Sequence, residues 1–159
     1  MTLPRVQPII PTWRKEPFDD PEWLFEFKYD GFRGLCYIEQ GRCHFISRNG
    51  NVLSRFEALG DQVAAVIDID EAVIDGEVIA ADETGRPQFY ELLRMPRSVS
   101  YVAFDILWLD GTDLRSLSVA GGCPDRPRDG HRMVARGAAD KVRPPGTLVF
   151  PQARATGAR

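Results

Sequence analysis

The stretch from residue 23 to 53, "WLFEFKYDGFRGLCYIEQGRCHFISRNGNVL", restricts the fold more than any other part of the chain. Phe25, Phe27 and Tyr29 alternate with Glu26, Lys28 and Asp30, the period-two pattern of a half-buried strand. Turn signals follow at Gln40-Gly41 and Asn49-Gly50, and Asn-Gly is the strongest short hairpin cue. The stretch therefore reads as β-structure with tight reversals, and Lys28 falls in the middle of its first strand.

Helical periodicity is briefer. In "SRFEALGDQVAAVID", Phe56, Leu59, Val63 and Val66 recur at helical spacing, with Ser54 placed as an N-cap and Glu57 three residues on. "EAVIDGEVIAAD" returns to strand, "ETGRP" to a turn, and "QFYELLRM" suits a short helix stopped before Pro96. "SVSYVAFDILWLDGTDL" reads as a strand running into a turn at Asp110-Gly111. This order predicts an α+β fold with largely antiparallel sheets and interspersed helices. Residues 4–22, with five prolines, are expected to run extended over the surface.

Length and composition limit what such a sheet can serve. The 159 residues suffice for one domain with a real core, and 43% hydrophobic with 27% charged residues is a soluble globular balance. No apolar run approaches the roughly 20 residues of a membrane helix, and the N-terminus lacks a secretion signal. Three cysteines without CxxC spacing predict a reduced, cytoplasmic chain with no zinc site. Two histidines argue against a His-based triad or multi-histidine metal centre.

Charge divides the chain. Residues 1–119 carry 12 Lys+Arg and 20 Asp+Glu, whereas 120–159 carry 8 basic and 3 acidic residues. The acidic part would not attract a phosphate backbone by bulk charge. Residues 120–159 form a basic Arg/Ala/Gly/Pro-rich tail with little periodicity. Within it only "TLVF" looks like a strand, and the final "QARATGAR" is expected to be disordered.

Four places hold residues suited to chemistry. Lys28 is either a snorkelling lysine paired with Asp30 or a nucleophile, with Phe27 and Tyr29 as a dry wall and Arg33 as a second cation. "SRNG" is a hairpin turn carrying Arg48. "DGEV" offers Asp75 and Glu77 on one strand face, as a solvated edge or as a metal and ribose-hydroxyl site. In "YVAFDILWLDG", Phe104 reads as core and Asp105 as a capping or turn residue.

Taken in order, Glu26-x-Lys28-x-Asp30-Gly31-x-Arg33, "SRNG", "DGEV" and "AFDILWLDG" reproduce the motif series of the covalent nucleotidyltransferases. With the lead-in "PFDDPEWLFEFKYDGFR", residues 4–118 most resemble the adenylation domain of bacterial ATP-dependent DNA ligases of the end-joining type. The resemblance implies a partial ATP-grasp-like adenylation domain over 1–119. It implies that Lys28 attacks the α-phosphate of ATP, with Mg²⁺ as the metal, to form lysyl-AMP. The AMP would then pass to nicked or broken double-stranded DNA. By motif, Glu26 would recognise the adenine amino group and Phe104 would stack on the base. Arg33 and Arg48 would hold ribose and phosphate, Glu77 would contact the ribose and the metal, and Asp30 would position Lys28. The resemblance further implies a monomer in the bacterial cytoplasm near the nucleoid, working in DNA repair and recombination beside other repair proteins.

The chain also departs from that family. No glutamate follows Glu91 to supply the family's Glu-Gly motif, and "DKVR" at 140–143 is a degraded echo of its Lys-x-Lys motif. The abrupt change after Val119 leads to the expectation that the tail arises by truncation or frameshift of a ligase gene. A non-catalytic ATP-binding remnant is the alternative function.

Overall fold

The computed structural model describes residues 3–10, 12–13, 15–16, 18, 24–82, 86–94, 99–116, 132–135 and 148–151, with backbone alone for the strands at 24–27, 132–135 and 148–151. In chain order the elements are β1 (Leu24–Phe27), β2 (Phe32–Glu39), β3 (Arg42–Ser47), α1 (Glu57–Val66), β4 (Glu71–Ile79), α2 (Phe89–Leu93), β5 (Ser100–Leu109), β6 (Thr112–Asp113), β7 (Arg132–Ala135) and β8 (Leu148–Pro151). The fold is α+β. One antiparallel sheet runs β3-β2-β4-β5-β6 with β8 also on β5, while β1 pairs with β7 in parallel.

Turn chemistry sets the register of this sheet. Between β2 and β3, Gln40 and Gly41 both have positive φ (52° and 72°), the two-residue reversal whose twist matches paired strands. Asp110 and Gly111 repeat it between β5 and β6, with φ of 42° and 84°. Pairing of β4 with β5 slips twice, between Val73 and Ile74 and between Asp75 and Gly76. Asp75 faces Asp105 while Gly76 faces Ala103, so Phe104 is the extra, bulged residue.

The sheet is buried on both faces, which explains why Leu35, Cys36, Tyr37 and Ile38 are all buried in succession. On one face Cys36, Ile38, Phe45, Ile74, Val78 and Tyr101 pack against Phe56, Leu59 and Val63 of the first helical segment and Leu92 of α2. The opposite face carries Leu35, Tyr37 and Val73, covered by Leu3 and Val6 of the N-terminal segment. That segment is a strap. The Val6 N–H donates to the Tyr37 hydroxyl at 3.0 Å, and this hydroxyl donates to the Pro4 carbonyl at 3.3 Å. Cys36 and Cys43 are free thiols with sulfurs 2.9 Å apart; the bond to Cys43, then burial, raises the Cys36 thiol well above its usual range.

Some local expectations fail for identifiable reasons. Lys28 is not mid-strand: β1 ends at Phe27 and residues 28–30 form a loop into β2. Ser54 is not an N-cap, because residues 54–56 form a 3-10 turn and no side chain caps either it or α1. Val66 shares the apolar spacing of α1 but is 67% exposed at its last position. α2 ends at Leu93, and the expected stop at Met95 and Pro96 lies outside the described residues. Within the tail, "TLVF" contributes Leu148 to Phe150 to β8, β7 had no sequence signal, and residues 152–159 lie outside the described residues. Among the described residues no helix is long and apolar enough to cross a membrane.

Candidate functional site

The strap-covered face of the sheet changes character along its strands. Leu35 and Tyr37 on β2, and Val73 on β4, are apolar. Continuing along the same face, β2 presents Arg33 and β4 presents Asp75 and Glu77, with Arg33 and Glu77 directly opposite each other. A polar site therefore begins where the apolar cover ends.

The loop from Lys28 to Gly31 docks onto this end. The Lys28 ammonium donates to Asp30 Oδ1 at 2.6 Å and to the Tyr29 carbonyl at 3.4 Å, and the Lys28 side chain is 34% exposed. The Gly31 N–H donates to Glu77 Oε1 at 2.9 Å. No larger residue fits at 31, since a Cβ there would collide with the Val78 carbonyl oxygen. Burial pushes the Glu77 carboxyl up to about 7, against the Gly31 N–H and the Lys28 charge, which pull it down.

Arg33 is held from three sides. Its Nε and Nη2 donate to the two carboxylate oxygens of Asp75 at 3.0 and 2.5 Å, and Nη1 donates to the Ile9 carbonyl of the strap at 2.7 Å. Burial works to lower the Arg33 pKa, but its hydrogen bond to Asp75 and the Asp75 charge raise it overall. Asp75 is thus neither a solvated edge nor a metal ligand in this arrangement; it is 4% exposed and committed to Arg33. Nor does Arg33 act simply as a second cation for Lys28, since its charge is matched by Asp75.

Phe104, the extra residue of the β5 bulge, lies at the same place. Its ring is half-buried with the Arg33 guanidinium carbon 5.9 Å from its centroid, instead of lying in the core as its residue type suggests. Asp105 is a strand residue opposite Asp75, not a cap or turn. Arg48 is exposed on the turn after β3; the pair Gly34–Ser47 sets it at the same end of the sheet as Arg33. The Glu26 side chain lies outside the described residues.

Beneath the site sits a residue that the motifs did not flag. Tyr101 is fully buried, with its hydroxyl 3.0 Å from both the Gly34 and Ile74 carbonyls, to which its single proton donates in turn. A Cβ at Gly76 would strike the Tyr101 ring, so the glycine of "DGEV" makes room for this floor. Gly34 and Gly76 are direct cross-strand partners, a pairing set by register that no sequence signal announced.

Among the described residues no group of three His, Cys, Asp or Glu side chains is arranged to hold a metal. Asp75 is bonded to Arg33, Asp30 to Lys28, and Glu77 to the Gly31 N–H.

Comparison with known proteins agrees with the motif order. Residues 14–121 match the ATP dependent DNA ligase domain family. The chain is 38% identical over 99 residues to the multifunctional non-homologous end joining protein LigD of Mycolicibacterium smegmatis, covering 58% of this chain and 12% of that protein. It is 32% identical over 117 residues to the SPbeta prophage-derived DNA ligase-like protein LigB of Bacillus subtilis, covering 69% of this chain and 42% of that one. A solved mycobacterial DNA ligase D, complexed with ATP and MES, aligns over 59% of this chain and 32% of its own at 30% identity and a TM-score of 0.49. The chain therefore spans well under half the length of these relatives. It belongs to the ATP-dependent DNA ligase domain family.

Proposed function

We propose that residues 1–119 form part of an adenylation domain in which Lys28 becomes covalently linked to AMP. The observation that carries this reading is the docking of the Lys28–Gly31 loop on Glu77, which gathers Lys28, Asp30, Glu77 and Arg33 at one end of the sheet. The Lys28 nitrogen, as the free amine, attacks the α-phosphorus of ATP. A nitrogen–phosphorus bond forms, the bond to the bridging oxygen breaks, and pyrophosphate leaves with that electron pair. Asp30 orients the nitrogen and lies where its proton departs. Arg33 and Arg48 hold phosphate and ribose oxygens through planar forks, Glu77 meets the ribose, Glu26 reads the adenine amino group, and Phe104 stacks on the base. Mg²⁺, held by Glu77 and the phosphates, would neutralise charge on the triphosphate. In this reading AMP then passes to a 5′-phosphate of nicked or broken double-stranded DNA. Residues 120–159 are an atypical basic tail, and the chain works as a monomer in bacterial DNA repair.

The test is intact-mass measurement of the full chain after incubation with ATP and Mg²⁺ and denaturation. A gain of one AMP that is absent from Lys28→Ala and from a GTP control supports the reading. A second reading is nucleotide binding without the adduct. Saturable ATP binding with no mass gain would establish it instead.

A further inference from the structure

Among the described residues Asp75 is the one buried charged side chain, at 4% exposure. A buried carboxylate is unfavourable unless paired, and an apolar residue of similar size would commonly serve stability as well. Here the carboxylate takes the Nε and Nη2 edge of Arg33 with both oxygens. This two-point contact sets the plane of the guanidinium and leaves Nη1 pointing away from Asp75. Nη1 reaches only a neutral backbone carbonyl, that of Ile9, at an exposed position. An anionic phosphate oxygen is a stronger acceptor than that carbonyl.

We infer that Asp75 is a positioning residue: it aims the remaining edge of Arg33 at an anionic oxygen of the nucleotide, and the Ile9 carbonyl holds that edge until the ligand takes it. This rests on the reading of the site as nucleotide-binding. Glu77, opposite Arg33, adds negative charge but is bonded to the Gly31 N–H and does not touch the guanidinium fork in the hydrogen bonds seen. Asp75 itself contacts no substrate; its effect runs through Arg33.

The test is the ATP dependence of Lys28 adenylation in the full chain, with Asp75→Asn, Arg33→Gln and the double variant. Asp75→Asn is expected to raise the half-saturating ATP concentration by roughly tenfold while the maximal rate stays within about twofold. Arg33→Gln is expected to match it, and the double variant to be no worse than Arg33→Gln alone. If Asp75→Asn melts below the assay temperature, the double variant, whose two amides can pair, is compared with Arg33→Gln; equality supports the role. An unchanged half-saturating concentration in Asp75→Asn, or effects that multiply in the double variant, overturns it. A wild-type chain that neither gains AMP nor binds ATP overturns the nucleotide reading, whereas a wild-type chain that gains AMP beside an Asp75→Asn variant of unchanged half-saturation overturns this role alone, so the two failures are distinguishable.

Discussion

Burial raises the Glu77 carboxyl from 4.5 to about 7, so between those values the folded chain holds a proton that the unfolded chain has released. The stability contributed by this group is complete below pH 4.5 and is lost as pH rises through 7. Glu77→Gln keeps an oxygen to accept the Gly31 N–H and removes the desolvated charge. It should raise the unfolding free energy at pH 8 by roughly 1–2 kcal/mol, discounted for partial exposure, and change little at pH 4. Urea melts at the two pH values measure this, and adenylation at pH 8 should fall in the same variant. At the docking point itself, Gly31→Ala forces the loop away from Val78 and should cost about 1–3 kcal/mol in urea unfolding. Lys28, Asp30, Arg33 and Glu77 were legible as motif residues. The burial of Asp75 was not, because aspartate is ordinarily exposed and only the approach of Arg33 makes its burial tolerable. The Ile9 carbonyl carries no residue-type signal at all.

Elements place these residues by register. Tyr101 crosses under β2 and β4, and removing its hydroxyl leaves the Gly34 and Ile74 carbonyls to share fewer donors. Tyr101→Phe should cost about 1–2 kcal/mol in thermal or urea unfolding without changing the ATP dependence of adenylation. The hairpin at Gln40-Gly41 and the turn at Asp110-Gly111 could be read directly, since positive φ at adjacent residues selects such dipeptides. The β5 bulges could not. Its aromatic type suggested a core position for Phe104, whereas its ring meets the Arg33 guanidinium beside the bulge. Ser54 failed as a cap for a related reason: a 3-10 turn precedes α1 and shifts the helix start to Glu57.

At the scale of the molecule, the strap of residues 3–10 links the apolar cover to the site, through Tyr37 at one point and Arg33 at another. Tyr37→Phe removes the acceptor for the Val6 N–H. Amide exchange at Val6 should quicken several-fold while overall melting falls by only about 1 kcal/mol. The proline content of this segment predicted an extended path, whereas its two anchoring contacts depend on residues 24 to 33 positions away in sequence. The sequence by itself determined the alternation, the tight turns and the ordered series from Lys28 to Phe104, because backbone periodicity and turn dihedrals are local properties. Tertiary structure decided that Asp75 is buried against Arg33, that Gly76 opens onto Tyr101, and that Phe104 meets Arg33. Each of these follows from cross-strand register, and register is settled only when distant strands pack against a common core.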